Sequence, residues 1–235
     1  MCSKRWCISI CLMPGCVKRQ QGMGSGLISR WKSVKKQLAI IKMVKSSVSA
    51  VGVRHIARLT GIRPILFDRY GGTNTTKLDD MQKMYLNENL ECCIPVLNVF
   101  SLLSAINTPS VAKRFYGKQG ANLGMMVQAF VNIEAHKTED SMLATICDDK
   151  GKIYTQSDPR ITVIGHVARL KGGIPNPKSR PMIPTGWSVT FVFEIQENPT
   201  VNSETLIKMV EQGGIIGLGT FRPIFGRYRV EWLSA

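Results

Sequence analysis

Hydrophobic and polar positions begin to alternate in this chain at residue 53. Val53, His55, Ala57 and Leu59 fall on one side of an extended segment, with Arg54, Ile56, Arg58 and Thr60 on the other. Gly61 and Pro64 end the pattern, so the spacing predicts a strand. Residues 71–80 are a polar loop, and Tyr85 to Ile94 reads as a hairpin or extended stretch. Pro95 suits the first turn of a helix to about Asn107, with Val96, Val99, Phe100, Leu103 and Ile106 on its buried side. A second helical region covers about 109–126, and Val127 to Glu134 follows as a strand.

Residues 136–160 are polar, a loop or loose hairpin, and Ile161 to Val167 is a further strand. Ala168 to Pro184 mixes four prolines with glycines and positive charge, which predicts a long exposed loop. From Trp187 to Gln196 alternation is strict. Asn202 or Ser203 then caps a helix to about Gln212, with Leu206, Ile207, Met209 and Val210 inward and Gly213 as its stop. A Gly-rich turn and a strand from Phe225 to Trp232 close the chain. The order of the main elements is that of an α+β fold of ferredoxin-like (RRM-like) β-α-β-β-α-β plan, with helices on one sheet face and inserted loops.

Composition divides the chain into 1–50 and 51–235. The first fifty residues hold ten Lys and Arg and no acid, which leaves 21 basic against 16 acidic residues in the body. Most of the net charge of +15 therefore belongs to an extension, and the body is only mildly basic. Leu27, Trp31, Val34, Leu38 and Ile41 are spaced as a basic amphipathic helix. The plainer expectation is that residues 1–50 lie outside the folded core, with Met23 and Met43 as alternative starts. Cys2, Cys7, Cys11 and Cys16 lack the short knuckles and histidine partners of zinc sites. The apolar run after Lys4 and Arg5 is short and broken by Pro14, unlike an export signal. Cys92, Cys93 and Cys147 do not point to an oxidising compartment, and no apolar run has the length of a membrane helix. A cytoplasmic protein without membrane, metal or cofactor is the expectation.

Catalytic constellations are sparse. His55, His136 and His166 stand alone in sequence, and the adjacent pairs Asp79-Asp80, Glu139-Asp140 and Asp148-Asp149 point to opposite faces of an extended chain. Asp68 is a lone candidate acid or a solvated turn residue. More specific is GGIIGLGTFRPIFGRYRV, where Gly217, Gly219 and Gly226 allow close backbone approach or positive φ, and Arg222 and Arg227 offer guanidinium forks. A purely structural turn is the alternative.

Gly217-Leu218-Gly219 and Gly226-Arg227-Tyr228, placed after the last helix, resemble the C-terminal glycine-rich loop of the RAMP superfamily, the RRM-like RNA-binding proteins of CRISPR effector complexes. Ile94-Pro95-Val96-Leu97-Asn98 is similar to the helix entry of backbone subunits there, and the opening and closing motifs also resemble small uncharacterised phage and prophage proteins. The resemblance implies a non-catalytic module binding RNA or single-stranded DNA, with a homo-oligomer along the strand as its backbone-subunit form. Lys113, Arg114, Arg169, Lys171, Lys178, Arg180 and Arg222 are candidate phosphate contacts. With strands one and four adjacent, Arg54, Arg58, Arg227 and Arg229 would form a basic stripe on the open sheet face. Two alternatives stay open: a RAMP-type metal-independent endoribonuclease using His55 or His166, and a phage structural or assembly protein.

The sharp change at residue 51 generates a direct test. A shortened chain starting at Met43 is expected to be soluble and to melt cooperatively; its aggregation, where the full chain stays soluble, would place the extension in the core.

Overall fold

The computed structural model describes residues 52–69, 71–72, 78–105, 109–169, 173 and 175–233. All belong to the second of two units, Ser49–Ala235. The extension 1–50, Ile106 and Lys171 lie outside the described residues.

Strand β1 (Val53–Gly61) is followed by the short β2 (Ile65–Leu66), then β3 (Tyr85–Leu86) and β4 (Cys92–Pro95). Helices α1 (Val96–Ser104), α2 (Val111–Phe115) and α3 (Gly120–Phe130) lead to β5 (Val131–Ala135). Strands β6 (Leu143–Thr145), β7 (Thr162–Arg169), β8 (Pro175–Ile183) and β9 (Ser188–Ile195) come next, then helix α4 (Ser203–Ile216) and β10 (Tyr228–Leu233). The main sheet has the order β10-β1-β9-β5, and each neighbouring pair is antiparallel. This is a mixed α+β architecture. Ala57 and Leu59 of β1, Phe191 and Phe193 of β9 and Ile133 of β5 pack in one buried cluster with Leu102, Leu103, Val127, Leu206, Met209 and Val210 from the helices.

Several boundaries differ from the sequence reading. Helix α1 ends at Ser104, whose hydroxyl turns back onto the Phe100 carbonyl at 2.8 Å. The expected strand from Val127 starts only at Val131, because Val127 sits one turn beyond Leu123 on the buried side of α3. Gly213 does not stop α4, which runs to Ile216 with Gly217 beyond it at φ +89°. The reason is close packing: a Cβ on Gly213 would lie 2.4 Å from the Tyr228 hydroxyl. That hydroxyl donates to the Val210 carbonyl at 3.0 Å, and burial pushes the phenol well above its ordinary pKa.

The larger correction concerns Ala168 to Pro184. It is not a long loop: β7 and β8 pair from Thr162↔Met182 to Arg169↔Pro175, and β2 joins the far edge of β8. The prolines are tolerated by parity. The Pro181 carbonyl accepts from the Phe67 N–H at 3.1 Å, so its backbone faces the β2 edge rather than β7. Pro177 and Pro175 share that parity, so none of the three removes a donor from the β7 ladder.

The polar stretch 146–161 is held by Arg160. Its guanidinium reaches Asp158 Oδ1 and Oδ2 at 2.9 and 2.7 Å and Asp148 Oδ2 at 2.6 Å, and lies over the Tyr154 ring. These hydrogen bonds hold both carboxyls below their ordinary pKa values. A depressed folded-state pKa stabilises the fold above about pH 4, the unfolded value, and that contribution is lost as pH falls through the folded one. Arg160→Met should therefore lower the denaturation midpoint at pH 7, and urea titrations should show the difference from wild type shrinking as pH drops below about 4. A pH-independent difference would assign Arg160 a packing role only.

Candidate nucleic-acid interface

Beyond α4 the chain makes a tight loop over residues 217–227. Leu218 N–H donates to the Gly226 carbonyl at 2.9 Å and closes it, and Gly226 N–H donates to Pro64 at 2.8 Å. Thr220 N–H reaches Leu66 at 3.0 Å, and Ile62 N–H reaches Arg227 at 2.9 Å. Gly226 has φ +73°, and a Cβ there would sit 1.8 Å from the Leu218 carbonyl oxygen. Gly217 and Gly219 press on the carbonyls of Phe225 and Leu66 in the same way. The close approach expected of these glycines is thus made to the protein's own chain: Gly217 and Gly226 press on the facing arm of the loop itself, and Gly219 on Ile65 and Leu66. They shape the loop instead of cradling a ligand.

The residues turned outward differ in character. Ile224 is 67% exposed, Phe221 39% and the neighbouring Ile62 43%. Phe221, at φ +58°, meets the His166 ring edge-on with centroids 4.1 Å apart and lies under the Arg180 guanidinium. Arg180 is buried, ion-pairs with Asp68 at 2.5 Å, and donates through Nη1 to His166 Nε2. Burial first, then the Arg180 charge, holds the imidazole below its ordinary pKa. Arg180 therefore ties the hairpin to the loop and is unavailable to a phosphate, contrary to the sequence reading; Asp68 is its counter-ion and no solvated turn residue. Lys178 stands opposite His166 and is half-buried, Arg169 stands opposite Pro175, and Lys171 lies outside the described residues.

Arginines gather around the loop. Arg63 and Arg227 line one pocket with Pro223 and Ile224. Burial and the nearby Arg114 guanidinium of α2 depress the Arg222 pKa. None of Arg63, Arg114, Arg222 and Arg227 makes an ion pair among the described residues. Lys113 and Lys118 flank Arg114 on the exposed side. The sequence reading missed Arg63, although Arg-Pro-Ile occurs at 63–65 and again at 222–224. The fold brings Arg63 of the first to Pro223 and Ile224 of the second.

The expected stripe of four arginines on the open sheet face is not formed as such. Arg54, Arg58 and Arg229 are exposed there, while Arg227 precedes β10 and belongs to the loop. Each sheet arginine has an acidic neighbour or partner on the same face. Arg58 pairs with Glu231 at 3.3 Å, Arg54 stands opposite Glu194, and Arg229 is two residues from Glu231. Next to this face opens a cleft of about 1120 Å³. Seven carboxylates line it, among them Glu88, Glu139, Asp140 and Asp149, against the cations Arg58 and Lys137.

The histidines proposed as acid–base groups are both engaged. His55 Nε2 lies 2.9 Å from the Ser203 hydroxyl, which donates to Glu197 Oε1 at 2.5 Å. With its one proton on Glu197, Ser203 accepts from the imidazole, an arrangement that buttresses the start of α4. Among the described residues no three His, Cys, Asp or Glu side chains are grouped to hold a metal ion, and no helix is long and apolar enough to cross a membrane.

No family model matches this chain. No curated protein matches it either. Among solved structures it is similar to a chain in a cryo-EM structure of the type III-B Cmr-beta bound to cognate target RNA. The identity is 13% and the TM-score 0.43, over 90% of this chain and 66% of that one, so this chain spans about two thirds of its neighbour's length.

Replacing Gly226 by alanine tests the loop architecture. The positive φ and the 1.8 Å approach predict a loss of at least about 2 kcal/mol, read as a fall in denaturation midpoint at unchanged slope. Wild-type stability would show that the loop adapts and that its glycines serve something else.

Proposed function

We propose that residues 51–235 form a RAMP-like, ferredoxin-like module that binds single-stranded nucleic acid, RNA or DNA, without cleaving it, with residues 1–50 as an appended basic extension. The carrying observation is the arc of Arg63, Arg227, Arg222 and Arg114, four guanidiniums without ion pairs among the described residues, interleaved with exposed Ile62, Phe221 and Ile224. Cationic groups attract the phosphate backbone, and apolar groups meet unstacked bases. Arg229 extends the arc onto the sheet, and Lys113, Lys118 and Lys178 add charge around it. The β10-β1-β9-β5 order, with β1 and β9 each followed by helices and a strand two places away, supports the ferredoxin-like plan. Binding without cleavage is favoured over the endoribonuclease reading because His55 and His166 are committed to Ser203 and Arg180. Copies side by side along one strand are the assembly this reading implies.

Changing Arg63, Arg114 and Arg222 together to Gln should weaken single-strand binding and reduce the log–log salt slope by about 2, at ~0.7 per contact. Arg58→Gln should change little, since Glu231 already neutralises that charge. A triple variant with unchanged affinity and slope would remove the arc from the binding surface.

A further inference from the structure

The junction between the end of β1 and the Gly-rich loop is rigid from within. Trp187 is fully buried, accepts from Gly61 N–H through its carbonyl at 2.7 Å, and donates its indole N–H to the Arg63 carbonyl at 2.8 Å. Opposite, the Arg227 carbonyl takes both the Ile62 and the Arg63 N–H, at 2.9 and 3.3 Å. Arg227 also donates its Nε to the Pro223 carbonyl at 2.9 Å. One guanidinium N–H is thus spent on aiming the side chain, and its Nη donors have no partner among the described residues.

Between these two arginines lies a pocket of about 240 Å³, walled on its other side by Pro223 and Ile224. Among the described residues no carboxylate lines it. It is smaller than the roughly 300–1,000 Å³ of sites that enclose a drug-sized ligand, so it suits one unit of a longer one. Its two walls differ in kind, fixed positive charge on one and an exposed branched aliphatic side chain on the other.

We propose that this pocket takes a single nucleotide of an unpaired strand, with its phosphate between the Arg63 and Arg227 guanidiniums and its base against Pro223 and Ile224. The inference rests on the nucleic-acid reading above and adds a selective element to it. A bare polyphosphate satisfies the arginines and leaves the apolar wall in water. A duplex keeps its bases stacked inside and has the same defect. Ile224 is then the residue that selects single strands, whereas Arg63 supplies affinity without selection.

The test uses the full chain and four fluorescent or competing probes: a single-stranded RNA, the same strand with abasic sugars, its duplex, and inorganic polyphosphate. Wild type should prefer the intact single strand. Ile224→Ala, an exposed change whose folding is checked by an unaltered melt, should cut that affinity by about three- to tenfold. It should leave polyphosphate affinity and the salt slope as they were. Arg63→Gln should lower the slope on every probe, by about 0.7 on the single strand. An Ile224→Ala variant that loses nothing, or loses equally on polyphosphate, overturns the pocket while leaving strand binding in place. Wild type without salt-dependent affinity for any strand overturns the nucleic-acid reading itself.

Discussion

Four backbone hydrogen bonds fix the Gly-rich loop on which the arginine cluster is built. Gly226 to Pro64, Thr220 to Leu66, and Ile62 and Arg63 to Arg227 clasp the Gly-rich loop onto the segment that leaves β1. Each has a modest net value, about 0.5–1.5 kcal/mol, but leaving such groups buried and unpaired costs more. The clasp joins four elements at once: α4 enters the loop, β10 leaves it, β1 precedes the clasped segment and β2 lies within it. Because β2 is also the third strand of the hairpin sheet, the same bonds orient β7 and β8 relative to the main sheet. A side chain at Gly226 would collide with this arrangement, so the glycines are a condition of the clasp before they are anything else.

That order of causes explains what could be seen in the sequence. Strands β1 and β9 were legible because one face is buried, which enforces period two, and β10 ends within a residue of its expected limit. The location of the Gly-rich element was legible as well, since positive φ leaves few residue choices. Its meaning was not. Glycine records that something comes close, and only the fold shows that the neighbour is the loop's own facing arm at Gly217 and Gly226, and Ile65 with Leu66 at Gly219. Prolines misled for a related reason. Four in seventeen residues read as a loop, yet three share a parity whose missing donors face away from β7. The arginine stripe failed on register: Glu231 stands across from Arg58, a relation invisible until β1 and β10 are paired. Arg63 was lost because 159 residues part it from Arg222, and its repeat of Arg-Pro-Ile is only three residues long.

The hairpin depends on the loop through one aromatic ring. Phe221 occupies the left-handed region, where a bulky side chain costs on the order of 1–3 kcal/mol and persists only if its surroundings over-determine it. They do: His166 meets the ring edge and Arg180 covers it, while Asp68 holds the guanidinium from β2's side. On the other parity of β8, Lys83 donates to the Ser179 carbonyl at 2.8 Å and to Asp80 at 2.8 Å. The β7–β8 hairpin is therefore held from both faces about midway along its ladder.

Charge placement then limits the path of any polyanion. Thr60 lines the acidic cleft and Arg63 lines the arginine pocket, three residues later. The chain bends at Ile62 and Arg63, so these two positions lie at most about 10 Å apart, close to the Debye length of ~8 Å at physiological salt. The carboxylates of the cleft are therefore only partly screened from a strand seated on the arc. They repel a phosphate backbone that turns toward the open sheet face, where Glu194 and Glu231 already offset Arg54 and Arg58. The path of least repulsion leads the other way, from Arg229 and Arg227 past Arg222 to Arg114, with the hairpin beside it. An interface across the whole sheet would need those carboxylates neutralised first, which requires an additional cation or partner. The arc needs neither.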